Sequence, residues 1–389
     1  MRVKPADRTD SVREYYFSQK LRQIEQMRKS GADIISLGIG SPDQPPSENT
    51  IAKLAEEAAS TSSHGYQSYN GIPALRQAFA DWYRKYFRVI LDPESEILPL
   101  MGSKEGIMHI SMAFVNKGDK VLVPDPGYPT YSAVTNLVGG EVICYDLEEK
   151  NGWLPDLTKL ERSDPGNVKL MWINYPHMPT GAKATALFFK QLVAFCIKHN
   201  ILLVNDNPYS FILNTEYLSL LETEGSWEIA LELNSLSKSH NMAGWRIGMV
   251  AGNSDYIKAI LKVKSNMDSG MFRAIQTAAA EALKNPPSWY EKLNIVYQHR
   301  RKIVEEIMDI LECRFDRNQT GLFVWGRVPE DVPECESFVD EILNKANVFI
   351  TPGFIFGKNG NRYIRISLCA DETTLEKART RITDYLAAR

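Results

Sequence analysis

The chain has 389 residues, 44% of them apolar and 24% charged, with a formal net charge of -3. That length exceeds what one hydrophobic core usually serves, and the composition is that of a folded globular protein, not a disordered or fibrous one. The slight acidity offers no basic surface for nucleic acid or anionic lipid as a leading idea. No run approaches the ~20 apolar residues of a membrane helix, so the expectation is small-molecule chemistry in the cytoplasm, with no nucleic-acid and no membrane partner.

The opening MRVKPADRTDSVREYYF lacks the apolar centre of a signal peptide. Residues 12–28 read as helical and 34–37 as extended. An apolar ILPLM run at 97–101 precedes a helical stretch at 107–114. Strands are expected at 120–123, 141–145, 169–173, 201–204 and 249–251, each short and mostly apolar, as buried parallel strands are. Between two of them, Leu187, Phe188, Leu192 and Phe195 give 184–198 the spacing of a crossover helix. From 286 the texture changes to a long charged helix through 289–311, an extended 322–325, a helix near 336–347, and extended runs at 349–351 and 363–368.

This alternation predicts an α/β fold: a three-layer, mostly parallel sheet with helices on both faces over 45–285, and a smaller α+β domain over 286–389. Pattern alone leaves 1–44 unassigned. Cys144, Cys196, Cys313, Cys335 and Cys369 are odd in number, scattered and free of any C-x-x-C pair. They read as reduced packing residues, with neither a disulfide framework nor a structural metal site.

The chemistry concentrates in SLSKSHNMAGWRIG at 235–248, where hydroxyls, glycines, Lys238 and Arg246 follow an apolar run at 229–233. Alone, such a lysine is an ordinary surface loop residue. Asp206 follows ILLVN at what should be the carboxyl end of a parallel strand, where open α/β sheets place ligands; a helix cap or turn aspartate is the plain alternative. GSKEG at 102–106, between an apolar run and a helix, offers backbone N–H groups to an anion. It matches neither G-x-x-x-x-G-K-[ST] nor G-x-G-x-x-G, and GIGSPD at 38–43 lacks the third glycine, so nucleotide motifs are not supported.

Taken together with LGIGSPD at 37–43, YQSYNGIPALR at 66–76, PDPGYP at 124–129, NYPHMPTG at 174–181, DNPY at 206–209 and RYIRIS at 362–367, these segments resemble the fold-type I, class I/II pyridoxal-phosphate aminotransferases. GSKEG, PDPGYPTY and SKSHNMAGWRIG resemble most the branch containing LL-diaminopimelate aminotransferases and aspartate aminotransferase-like enzymes. The resemblance implies that pyridoxal 5′-phosphate is held as an imine on Lys238, whose released amine then shuttles the proton at the substrate Cα. It further implies that Asp206 faces the pyridine nitrogen, that Tyr128 stacks on the ring, and that Tyr209 hydrogen-bonds O3′, with Asn174 nearby. Gly102, Ser103, Lys104, Ser235, Ser237 and Arg246 would hold the phosphate, joined by Tyr66 from the neighbouring subunit of a homodimer. Arg365 would fork onto the substrate α-carboxylate, helped by Gly40. Tyr15 would reach the substrate from the 1–44 segment, which joins the small domain. Read singly, Arg246 and Arg365 are surface arginines and the tyrosines are packing residues.

One position departs from the family. Met178 stands where N-P-T-G usually begins, so a thioether without a donor replaces the amide on O3′. Unless Asn174 or His177 substitutes, the cofactor imine should keep its proton to higher pH. The implied reaction moves an amino group between an L-amino acid and a 2-oxo acid, with LL-diaminopimelate, aspartate or another amino acid as substrate. Carbon–sulfur elimination, decarboxylation and non-catalytic binding on the same fold are the alternatives. In a partner-subunit loop near 265–273, Arg273 suits a distal carboxylate and Asp268 a distal amine, though both also read as solvated charge.

Overall fold

The computed structural model describes residues 3–12, 14, 16–163 and 165–388. Its centre is a seven-stranded sheet with the spatial order Ile97–Leu100, Gly248–Gly252, Ala230–Ser235, Leu202–Asp206, Val168–Ile173, Lys120–Asp125 and Glu141–Asp146. All of these strands run parallel except Gly248–Gly252, which is antiparallel to both neighbours. The parallel orientation expected of 249–251 is therefore corrected. A parallel return needs a long crossover, usually through a helix. The connection at 236–247 holds only the short Leu236–Ser239 helix and a turn at Ala243–Trp245, and the chain doubles straight back.

Strand residues alternate between two apolar clusters. Met171, Ile173 and Leu203 pack with Phe79, Tyr83 and Phe189 on one face. Leu170, Trp172 and Val204 pack with Ile107, Ile110 and Ile257 on the other. Burial on both faces explains why these strands read as continuous apolar runs and not as alternating ones. The expected crossover is the Ala186–His199 helix. The Thr185 side chain caps it by accepting from Phe188 N at 3.1 Å, and Asn200 ends it in the left-handed region at φ 54°.

The C-terminal part builds a four-stranded antiparallel sheet ordered Thr351–Pro352, Tyr363–Ser367, Phe323–Arg327, Arg314–Phe315. Its cluster draws Leu293, Val304 and Ile307 from the Pro287–Ile310 helix, Val339 and Ile342 from Cys335–Ala346, and Leu375 and Ile382 from Glu372–Ala387. The extended run expected at 349–351 is split between two sheets: Val348–Phe349 pairs in parallel with Ile35–Ser36, while Thr351–Pro352 joins the antiparallel sheet. Ser367 N also donates to Leu37 O at 2.9 Å, so the segment carrying Gly38 and Gly40 is tied to the strand that carries Arg365. The first long helix spans Tyr16–Lys29 and does not begin at Val12, which lies in a bend. Among the described residues, no helix is long and apolar enough to cross a membrane.

Candidate active site

Four of the parallel strands end at one place. Ser103 follows Ile97–Leu100, Tyr128 follows Lys120–Asp125, Asn174 follows Val168–Ile173, and Asp206 closes Leu202–Asp206. With Lys238, and with Gly40 and Arg365 from the other side, they line a cavity of about 540 Å³. That is the size of a cofactor or small-ligand site, at the carboxyl ends of the strands where such sites occur.

Lys238 sits on the Leu236–Ser239 helix directly after the Ala230–Ser235 strand. Ser235 caps that helix, its Oγ accepting from Ser237 N at 3.2 Å and donating to Ser237 Oγ at 2.8 Å, so the Ser237 hydroxyl keeps its own hydrogen to donate. The Lys238 ammonium donates to Gly40 O. Burial lowers its pKa, and the Arg365 and Arg246 cations lower it further against the opposing pull of Cys369 and Asp206. The amine is thus driven toward its neutral, nucleophilic form.

Asp206 is buried at the base of the cavity. Tyr131 donates to its Oδ2 at 3.1 Å, and the Tyr131 ring stacks on Trp172 at 5.1 Å. Its Oδ1 is buried with no hydrogen-bond partner. Burial raises the carboxyl to about 6, opposed by the nearby Tyr131 and Ser103 hydroxyls and the Lys238 ammonium. A buried carboxylate oxygen without a hydrogen-bond partner, on a residue that lines the cavity, suits a cationic N–H, as a protonated pyridine nitrogen provides. Sequence reasoning missed Tyr131. The signal was present in PDPGYPTY, where Tyr131 lies three residues after Tyr128 at the start of the Thr130–Leu137 helix.

Anion-binding groups gather at the start of the Ser103–Phe114 helix. Gly102 precedes it with φ 85°, and a Cβ there would come within 2.3 Å of Arg246 Nη2, so only glycine lets the guanidinium lie against this turn. Arg246 adopts φ 58° and is fastened by Nη1 to Ala243 O at 2.9 Å and by Nη2 to Met101 O at 3.3 Å. Ser103, Lys104, Ser235, Ser237 and Arg246 all line the cavity. The donor set of backbone N–H groups, hydroxyls and cations fits a phosphate.

Arg365 is buried on the Tyr363–Ser367 strand. Its Nη2 donates to Gly38 O at 2.8 Å and its Nη1 to Met178 Sδ at 3.3 Å. The guanidinium lies 3.9 Å from the Phe323 ring centroid and 4.7 Å from that of Phe356. Phe323 reaches it because Trp325 pairs with Arg365 across the sheet, which puts Phe323 diagonally opposite on the same face. Gly40 passes flat over that ring; a Cβ there would sit 2.3 Å from Phe323 Cζ. Tyr209 lines the same space, with burial raising its hydroxyl pKa.

Asn174 faces the cavity, but its amide donates to Asp206 O and accepts from Met178 N at 2.8 Å. It braces the Asp206 backbone and the Met178 loop. Tyr66 is 93% exposed and does not line this chain's cavity. Arg273 and Asp268 do not line it either. Both Asp268 oxygens take Lys264 at 2.8 Å, so the acid considered for a distal amine is already paired. Tyr15 lies outside the described residues.

The chain matches the Aminotransferase class I and II family over residues 32–382. It is 40% identical over 385 residues to an LL-diaminopimelate aminotransferase of Dehalococcoides mccartyi, covering 98% of this chain and 99% of the relative. It is 41% identical over 386 residues to an LL-diaminopimelate aminotransferase of Moorella thermoacetica, covering 99% of each. The solved structure of apo-BacF from Bacillus subtilis superposes with a TM-score of 0.94 at 35% identity, covering 99% of this chain and 98% of that one. The chain therefore belongs to the class I and II aminotransferases, pyridoxal-phosphate-dependent enzymes that move amino groups between amino acids and 2-oxo acids.

Proposed function

We propose that the cavity works as the active site of a homodimeric, cytoplasmic L-amino acid:2-oxo acid aminotransferase, whose donor is LL-diaminopimelate, aspartate or another amino acid. The observation that carries the reading is that the Lys238 amine, the Asp206 carboxylate and the Arg365 guanidinium line one cavity. Bound pyridoxal phosphate supplies an aldehyde that takes up amines and a ring that accepts the electrons left when Cα loses its proton. Lys238 would anchor it, and its amine, whose pKa is lowered by burial, would carry the proton at the substrate Cα.

Asp206 would hold the ring nitrogen charged through its unsatisfied Oδ1, with Tyr131 and Asn174 fixing its position. Ser103, Lys104, Ser237 and Arg246 would grip the phosphate along with Gly102 and Ser235, and Tyr128 would cover the ring. Tyr209 would donate to O3′. Arg365 pairs with the substrate α-carboxylate, its desolvated rim of Phe323 and Phe356 strengthening the charge contact. Residues 45–285 form the cofactor-binding domain, and 1–44 join 286–389 in a second one, a division supported by the pairing of Ile35–Ser36 with Val348–Phe349.

The exposure of Tyr66, away from its own cavity, supports a role in the partner's site, and the free thiols of all five cysteines fit a reducing compartment. The test is direct. Purified protein given excess cofactor should show a visible chromophore that sodium borohydride fixes to Lys238 and that an amino acid donor discharges. A colourless native protein overturns the reading.

A further inference from the structure

We propose that the donor this enzyme prefers carries a large apolar side chain, aromatic or branched aliphatic, and that Phe17, Leu21 and Ile39 determine the preference. This rests on the aminotransferase reading and narrows its donor away from the dicarboxylic and diamino acids suggested by the relatives. Phe17 and Leu21 are four residues apart on the Tyr16–Lys29 helix, so their side chains share a face. Both line the cavity together with Ile39. Leu21 and Ile39 remain 37% and 44% exposed. They are large apolar side chains turned toward the open cavity and not toward the core, and covering them is favourable.

Position follows from Arg365. Its guanidinium lies 5.6 Å from the Phe17 ring centroid and 4.7 Å from that of Phe356. An amino acid whose α-carboxylate is gripped there has its Cα one bond away, so its side chain starts beside these rings. Charge points the same way. Among the described residues lining the cavity the only carboxylate is Asp206, held at the base by Tyr131. Asp268 is spent on Lys264, and Arg273 lies 3.8 Å from Glu57. The lining cations Lys104, Lys238, Arg246 and Arg365 already serve the phosphate, the aldehyde and the α-carboxylate. A distal ammonium or carboxylate set against Phe17, Leu21 and Ile39 would lose its water without a partner, whereas a phenyl or isobutyl group gains by covering them. In such a pocket a single methylene changes rates roughly 10- to 200-fold.

The donor half-reaction, followed in the holoenzyme without 2-oxo acid by decay of the cofactor's visible band, reads this preference independently of the acceptor. The specificity constants for phenylalanine, leucine and methionine should exceed those for aspartate and LL-diaminopimelate at least about tenfold. Unreactive 3-phenylpropanoate should bind at least about tenfold more tightly than succinate in competition. Leu21→Arg and Ile39→Arg should each cut the phenylalanine-to-aspartate ratio by about tenfold or more. If neither arginine variant folds, Phe17→Ala must lower the same ratio. Faster reaction with aspartate or LL-diaminopimelate, or a ratio unmoved in the variants that fold, overturns the assignment. A coloured holoenzyme that none of the five donors discharges overturns the aminotransferase reading itself, and this proposal with it.

Discussion

Met178 Sδ accepts a hydrogen bond from Arg365 Nη1 at 3.3 Å, so the thioether that replaces the family's usual amide is held by the guanidinium at the heart of the site. His177 does not substitute for the lost donor, and Asn174 has one amide N–H left beyond its bond to Asp206 O. The Asn174 amide is engaged by Asp206 O and Met178 N, and His177 faces Thr180 at 2.8 Å without lining the cavity. With Tyr209 as its proposed partner, the cofactor's phenolic oxygen would lack the amide that position 178 usually supplies. Met178→Asn should lower the pH midpoint of the bound cofactor's absorbance change by about one unit, the value of one hydrogen bond to an ionised oxygen. Identical midpoints in the native and variant holoenzymes would refute this.

Asp206 links cofactor binding to stability. Its carboxyl is raised from 3.8 to about 6 by burial, so between those values the folded protein holds a proton that the unfolded chain has released. In the cofactor-free protein its contribution favours folding at low pH and is lost as pH rises through about 6. Asp206→Asn should therefore stabilise the cofactor-free protein at about pH 8 by on the order of 1–3 kcal/mol, and far less at about pH 4. The same substitution should weaken cofactor binding, because the ring nitrogen loses its counter-charge. Urea denaturation at the two pH values checks the first half; a less stable variant at the higher pH contradicts it.

Lys238→Ala should abolish the covalent chromophore and slow transfer at least ~1,000-fold, since anchor and proton carrier are lost together. Added methylamine should restore part of the rate by supplying a small amine to the same space. Turnover near the native level in the alanine variant would remove Lys238 from the chemistry.

Arg365→Lys keeps the charge but loses the planar fork and its stacking on Phe323. The expected result is a KM for the amino donor raised roughly 30-fold or more, with a smaller change in kcat. Steady-state kinetics at saturating 2-oxo acid measure it, and an unchanged KM excludes the carboxylate role.

Tyr66, nearly fully exposed on the single chain, tests the dimer. Light scattering should return twice the chain mass, and Tyr66→Phe should weaken cofactor affinity by about tenfold while leaving that mass unaltered. Full cofactor affinity in a monomeric species would leave Tyr66 with no function at the site.

Local sequence sufficed for much of the architecture. The apolar runs ending in Asp206 and Ser235, the crossover helix between Val168–Ile173 and Leu202–Asp206, and the glycine turn before Ser103 are all read from periodicity and turn chemistry, which act over a few neighbouring residues. Tertiary structure alone decided the rest. Strand direction at Gly248–Gly252 depends on what the preceding connection has room to form. The Tyr131 bond to Asp206 spans 75 positions and the Arg365 bond to Gly38 spans 327, and no periodicity reports such partners. The amide of Asn174 could be assigned to backbone bracing only once the ends of two strands lay side by side, because a hydrogen bond depends on where chain folding leaves its donor and acceptor.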